Sequence, residues 1–453
     1  MTGNEPYVGP DDADADNKTD QNHDHDDDEA NSGSGRSRLR FPRRPSRSPA
    51  GTPVEIQSPE IVGGGPEDVE AVAEQIRTPG GLRAGLGALG AATLGSVATL
   101  MPGRRANDPW AGEDMWELGV DRGSMVAATD GVPLAVREAG PTDAPMTVVF
   151  AHGYTLSMDS WHFQRRHLAD RFGSEIRMVF YDQRGHGLSG KSSRANSTID
   201  QLARDLGTVI SATAPTGPVV VIGHSMGGMT VMGYAARHPE MVRERVLGVG
   251  LVSTAMAELS GSGLGAVLES KTVARVAGMA GRTPGVFTNT RRALGAIISP
   301  FIYGGSFGDP ATMSPTVARF VDKLIASTDV LTIANFFETL TQHDETAAMP
   351  ILRGVRTTVL CGDRDLLTPL DRSVDIVEEL PDAEFVVVPG AGHMVMVEEP
   401  AYASEVLGDL VADAIVLWRE RTRLAEGGLP SAPADGAPGA EKGGPARGRA
   451  KAS

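Results

Sequence analysis

The chain has 453 residues, a formal net charge of −16 and a single cysteine, Cys361. An acidic balance with no basic groove or aromatic platform in the part expected to fold argues against nucleic acid as a partner. One cysteine rules out an intrachain disulfide and permits the cytosol without demanding it.

Charge is concentrated at the start, where residues 1–30 hold nine Asp and two Glu against one Lys, and residues 31–50 hold six Arg and no acid. Neither stretch has the apolar content to order itself, so residues 1–60 are expected to form a disordered tail. The run from Arg36 to Arg47 reads as solvated and partly compensated by the preceding acids. Residues 61–106 read as a linker enclosing Ala84–Met101, which carries no charge and is bracketed by Arg83 and Arg104-Arg105. Its length lies at the short end of the transmembrane range, and its glycines and alanines make insertion marginal. A cytoplasmic protein is therefore expected, with peripheral or anchored membrane association through 84–101 as the alternative. The acidic N-terminus lacks the basic start and apolar core of a cleavable signal.

A folded core is expected over 107–254 and again over 350–425. Asp130-Gly131 separates Met125-Val126-Ala127 from Val132-Pro133-Leu134-Ala135-Val136, a two-residue hairpin signal. Short apolar, β-branched runs follow at Thr147–Ala151, Ile176–Tyr181, Val219–Ile222, Val246–Val252, Thr357–Leu360 and Glu384–Val388. Runs of this kind suit strands buried on both faces of a parallel sheet, with helices such as Ile199–Thr213 and Met229–Ala236 between them. Every polar cluster sits where a strand ends: His152-Gly153-Tyr154, Asp182 to Ser189, Gly223 to Gly228, Cys361 to Asp365, and Pro389 to His393. Ligands bind at the carboxyl edge of parallel sheets, so these clusters are expected to meet in space.

The sharpest of them is Gly223-His224-Ser225-Met226-Gly227-Gly228, directly after Val219-Val220-Val221-Ile222. A serine between small residues at the end of a strand reads as a nucleophile elbow, a strand-to-helix turn that lifts the hydroxyl clear of the sheet. A serine hydroxyl is a weak nucleophile and needs a base, and that base needs a group to hold its tautomer. His393, in a glycine-rich loop after an apolar strand, is the candidate base. Asp363 and Asp365 compete for the third position. Met226, at the start of the elbow helix, supplies one backbone N–H for a developing oxyanion.

Together, the His152-Gly153 loop, Asp182-Gln183-Arg184-Gly185-His186-Gly187-Leu188-Ser189, Gly-His-Ser-Met-Gly-Gly, Gly362 to Asp365 with Pro369, and Gly392-His393 resemble the α/β-hydrolase family, in the branch with a cap after the sixth strand. The match runs from near Met125 to about Val416. It implies a mostly parallel twisted sheet with helices on both faces and a triad of Ser225, Asp365 and His393. The choice of Asp365 over Asp363 rests on that resemblance, as does the second oxyanion donor, the N–H of Tyr154. The resemblance also assigns Asp182, Arg184 and His186 to bracing the loop beneath the site. His224 points away along its strand and His152 braces its loop, so both read as structural. His162 and His167 fall in an expected surface helix. No histidine pair has zinc-ligand spacing, and neither a metal nor a cofactor is implied.

Residues 255–349 lack strand-like alternation and read as the helical cap. Val317, Phe320, Val321 and Leu324 share one helical face, and Ile333, Phe336, Phe337 and Leu340 another. Such faces pack on the main domain and can also line a cleft. Phe301, Phe307, Phe336 and Phe337 from the cap, with Met158, Met394, Met226 and Met396, are the candidate pocket walls. Residues 426–453 are expected to be loose.

The expected function is hydrolysis of a carboxylic ester with a hydrophobic acyl group through an acyl-enzyme. Serine at the elbow argues against epoxide hydrolases and haloalkane dehalogenases, which use aspartate there. Proline iminopeptidases usually carry Gly-Gly-Ser-Trp-Gly. Perhydrolase or haloperoxidase-like chemistry and carbon–carbon bond hydrolysis on the same triad are the alternatives, and a non-catalytic binding protein is a third.

Overall fold

The structure is a computed structural model that describes residues 61–62, 108–257, 259 and 305–427. Expectations for residues 1–60, for Ala84–Met101, for Phe301 and for the end of the chain beyond 427 lie outside the described residues.

Among the described residues, nine strands form one sheet. In chain order they are β1 (Ile61–Val62), β2 (Arg122–Ala127), β3 (Pro133–Ala139), β4 (Met146–Ala151), β5 (Ile176–Tyr181), β6 (Val219–His224), β7 (Val246–Val252), β8 (Arg356–Gly362) and β9 (Glu384–Val388). Their spatial order is β1-β9-β8-β7-β6-β4-β5-β3-β2. The six strands from β5 to β9 through β4 pair in parallel, and antiparallel strands close both edges. Ile61–Val62 lies in the stretch expected to be a linker, yet it pairs with Val386 and Phe385 as an edge strand. Two residues are too few to show any alternation.

The parallel strands divide their side chains between two cores. Val148 and Phe150 of β4 and Val220 and Ile222 of β6 join one core, while Val149, Ala151, Val219 and Val221 join the other. Period-two alternation within an all-apolar run is what a sheet covered on both faces requires. Helices α1 (His162–Phe172) and α8 (Pro400–Ala425) contribute Leu168, Leu407 and Leu410 to the first core. The second takes Leu206 and Val209 from α2 (Ile199–Thr213), Val231 and Met232 from α3 (Met226–Arg237), Val242 from α4 (Pro239–Arg245) and Val374 and Val377 from α7 (Leu370–Glu379). Each such side chain, fully buried, contributes about 1.5–3 kcal/mol.

Strand β4 lies between β5 and β6, so the chain leaves β4 in one direction and later returns to its other side. That reversal is a topological switch point, where adjacent loops at the carboxyl edge splay apart and leave a crevice. The loop after β4 and the turn after β6 are neighbours there because Ala151 pairs with Gly223.

One local expectation is corrected. The hairpin turn is a three-residue loop: Ala128 N–H donates to Val132 O at 2.9 Å, and Gly131, at φ 84°, closes on Ala128 O at 2.8 Å. A type I turn followed by a left-handed glycine favours this form, and it frees the Asp130 carboxylate for Arg184. Helix α1 is a surface helix that exposes Asp170 and Arg171 and buries His162, Phe163, Gln164 and Leu168 on its other side. Gln164 Nε2 donates to Met396 O at 3.0 Å, an anchor that apolar periodicity cannot register.

Between β7 and β8 lie α5 (Pro315–Ser327) and α6 (Val330–Gln342), which carry the two apolar faces read from the sequence. Helix α5 rests partly on the chain before β2. Asp108 accepts from Ser314 Oγ and from Thr316 N at the start of α5, where a carboxylate also meets the helix dipole favourably. Phe320 packs edge-on against Trp116, with ring centroids 5.2 Å apart.

Candidate active site

Ser225 stands between β6 and α3 with φ 53° and ψ −118°, a conformation that strains any residue with a Cβ. The surroundings enforce it. Ser225 N–H donates to Val252 O at 2.9 Å, and Thr254 Oγ1 donates to Ser225 O at 2.7 Å. A Cβ on Gly227 would overlap the carbonyl of Ala151, and one on Gly223 would overlap that of Gly227. The turn can therefore form only with glycine at both positions. Thr155 (φ 62°) and Ser253 (φ 44°) are the other non-glycine residues with positive φ among those described, and both lie at the same edge of the sheet.

His393 follows β9 and Asp365 follows β8. His393 Nδ1 lies 2.9 Å from Asp365 Oδ2 and 3.2 Å from Thr368 Oγ1. Asp365 is itself fixed, because it accepts from Leu367 N, Thr368 N and Thr368 Oγ1, each at 2.8 Å. A carboxylate with these donors is an acceptor for Nδ1–H, which leaves Nε2 with its lone pair. Asp363 takes no part: its Oδ1 accepts from Gly390 N at 2.6 Å and ties two loops together. Ser225 and His393 line one cavity of about 20 Å³, with Leu156, Ile325, Leu367 and Met394 as its apolar walls. A space of that size holds about one water molecule. An acyl chain therefore enters only as wall residues move.

The N–H groups of Tyr154 and Met226 have no hydrogen-bond partner among the described residues. For Met226 the reason is its place in the first turn of α3, where no earlier carbonyl is available. The Tyr154 phenol is turned away from this work and donates to Ile333 O of α6 at 2.5 Å. Burial raises its pKa far above the ordinary tyrosine range.

His152 is a brace. Its Nε2 accepts from Gln183 N at 2.9 Å, so Nδ1 carries the proton and faces Gly153 O at 2.7 Å. Burial drops its pKa to about 3, with the neighbouring His186 adding to the effect, and burial drops His186 to about 4. Asp182 accepts from Met158 N and Leu188 N at 2.8 and 2.7 Å. Arg184 is fully buried and bridges Asp205, also fully buried, and Asp130. Arg184→Met is expected to lower stability by about 3–5 kcal/mol, because it strands the Asp205 charge. Thermal or urea unfolding measures this, and a loss below about 1 kcal/mol, the range of an exposed pair, would remove the bridge from the account.

His224 stands closer to the site than its strand position suggests. Its Nε2 donates to His393 O at 2.9 Å, and Nδ1 faces Gly153, where a Cβ would sit 2.6 Å from it. One buried ring thus touches the base loop and the loop after β4.

Of the proposed pocket walls among the described residues, only Met394 lines the cavity. Met158, Phe307 and Phe336 are buried in the core beneath it, and Phe337 packs partly buried against that core. Phe336 rests against His186 at 5.6 Å between ring centroids. These aromatics are consumed in seating the helices. Leu156, Ile325 and Leu367 line the cavity instead, and nothing in their sequence spacing marks them. His162 Nε2 pairs with Glu113 Oε1 at 3.1 Å, and His167 lies 3.7 Å from Glu405. No group of His, Cys, Asp or Glu that could hold a metal ion occurs among the described residues.

A doubly wound sheet with a strained serine turn, and a carboxylate-held histidine sharing its cavity, defines a protein of the hydrolase-fold class. The alpha/beta hydrolase fold matches residues 147–400, more than half of the chain, and the protein belongs to that family. It is 28% identical over 283 residues to a monoacylglycerol lipase of Mycolicibacterium smegmatis, covering 61% of this chain and 89% of the relative. It is 27% identical over 275 residues to a non-heme haloperoxidase of Rhodococcus erythropolis, covering 59% and 92%. In fold it is similar to a thermophilic esterase from Thermogutta terrifontis, with a TM-score of 0.53, 23% identity, and coverage of 65% of this chain and 99% of that one. No helix among the described residues is long and apolar enough to cross a membrane.

Proposed function

We propose that this α/β hydrolase cleaves carboxylic esters with a hydrophobic acyl group through an acyl-enzyme on Ser225. His393 takes the hydroxyl proton as Ser225 attacks the ester carbonyl, and returns it to the departing alkoxide. Asp365 holds the imidazole by Nδ1 and stabilises the imidazolium that forms. The N–H groups of Tyr154 and Met226 receive the oxyanion, water attacks the acyl-enzyme by the same route, and the acid leaves. The observation that carries this reading is His393 Nδ1, 2.9 Å from the fixed Asp365 carboxylate, in a cavity shared with Ser225. Its walls, Leu156, Ile325, Leu367 and Met394, suit an apolar acyl chain.

Fluorophosphonate labelling, run beside turnover of p-nitrophenyl esters of increasing acyl length, tests the proposal. Labelling at Ser225 with turnover is the expected result. Because the cavity is small, the short esters should be turned over best; a rising trend up to long chains would mean that α5 swings away from the cleft. Labelling without ester turnover would redirect the assignment to perhydrolysis or carbon–carbon cleavage.

A further inference from the structure

Glu398 is a partly buried carboxylate that the chemistry above leaves unused. It closes the short helical turn Val395–Glu398 and folds back over it. Its Oε1 accepts from Met394 N at 3.1 Å, both oxygens accept from Gly392 N at 3.0 Å, and Oε2 accepts from Gly308 N at 2.8 Å. Gly392 and Met394 flank His393. Gly308 belongs to the chain returning towards α5, and Met394 N also reaches Ser306 O there at 3.0 Å. A Cβ on Gly308 or Gly392 would overlap the backbone of the other segment, so the two main chains touch with the carboxylate between them.

We propose that Glu398 is a positioning residue for His393: its ionised carboxylate grips the backbone on both sides of the imidazole and holds the ring in register with Asp365 and Ser225. The inference rests on the reading of those three residues given above. Every partner of Glu398 is an N–H donor, and an ionised carboxylate is the side chain that only accepts. Protonation turns one oxygen into a donor with no acceptor among these partners, and a glutamine amide does the same. Among the described residues no Lys or Arg pairs with Glu398. Asp365 is the charged group that acts on it across the base loop, and Glu399 follows it in the chain. Burial raises the Glu398 carboxyl to about 7, the three N–H donors oppose that rise, and Asp365 adds to it. The carboxylate therefore forms as pH rises through neutrality, and the grip is lost as pH falls through it.

The test is the acid limb of kcat/KM for a p-nitrophenyl ester in the full-length protein, with Ser225→Ala alongside. The ratio of wild-type to Glu398→Gln kcat/KM should be about ten above neutrality and fall toward one as pH drops through it, because a protonated Glu398 grips no better than glutamine. Above neutrality Glu398→Gln should lower kcat by about tenfold with KM within about twofold. Glu398→Asp, which keeps a carboxylate on a shorter arm, should retain a pH-dependent step of its own at a displaced pH, and it carries the test if the glutamine variant does not fold. A ratio that stays constant with pH, an unchanged kcat in Glu398→Gln, or a limb in Glu398→Asp that superimposes on wild type would each overturn the inference. Turnover surviving in Ser225→Ala would instead overturn the underlying assignment. Loss in Ser225→Ala beside a wild-type Glu398→Gln would sink the Glu398 inference alone.

Discussion

Ser225→Ala is expected to lower kcat for ester hydrolysis by about 10⁵- to 10⁶-fold while the protein stays folded. The serine does not hold the turn together. Its side chain contributes no hydrogen bond to the turn, whereas its backbone is held by Val252 O, Thr254 Oγ1 and the close approach of Gly227 to Ala151. Alanine should sit in the same strained conformation, so the unfolding midpoint should barely move. Glycine at this position separates strain from chemistry. A left-handed conformation costs a residue with a Cβ about 1–3 kcal/mol, and glycine escapes that cost while losing about 0.5–1 kcal/mol of chain entropy. Ser225→Gly should therefore be as inactive as Ser225→Ala yet more stable by about 1 kcal/mol, as read by chemical denaturation. Equal stabilities would mean that the turn stores no strain. Activity near wild type in either variant would remove Ser225 from the mechanism.

Asp365→Asn is the second large effect, expected at about 10³- to 10⁴-fold in kcat. An amide in this place accepts from Leu367 N and Thr368 N through its oxygen, so it presents its NH₂ to His393 Nδ1. The imidazole is then driven to carry its proton on Nε2, where it cannot accept one from Ser225. Asp363→Asn keeps an acceptor for Gly390 N and is expected to change kcat by less than about threefold. The pair of variants, measured on one ester at one pH, decides between two aspartates that stand two residues apart. A larger loss in Asp363→Asn would move the acid to that position.

These expectations differ in how far the chain alone could carry them. The elbow is legible because its constraint is local: a turn of this kind needs glycine two residues before and two residues after the serine, and Gly223 and Gly227 stand there. The alternation of β4 and β6 between two cores is legible for the same reason, since each strand displays its own period. The choice between Asp363 and Asp365 is different, because both lie on one loop with equal chemistry. Only the loop's path, fixed by Leu367 N and Thr368 N, turns Asp365 toward His393.

The pocket walls show where sequence reasoning stops. Phe307 and Phe336 look suited to an acyl pocket by type, but large aromatics are also what a cap helix uses to bury its face, and the structure places them there. Leu156, Ile325 and Leu367 come from three distant segments and meet at the cavity only after the sheet and α5 have assembled. The backbone clamp at Glu398 is hidden for a related reason, since its partners are main-chain N–H groups that every residue but proline possesses.

What the sequence determines by itself is the order of apolar runs, the strained serine turn and the family they belong to, because each is written in contiguous residues under short-range steric and hydrophobic rules. What the tertiary structure adds is the contact between Asp365 and His393, and it alone decides which side chains line the cavity and how Glu398 grips the base loop. Those depend on angstrom-scale distances between loops brought together by strand order, and no spacing along the chain encodes them.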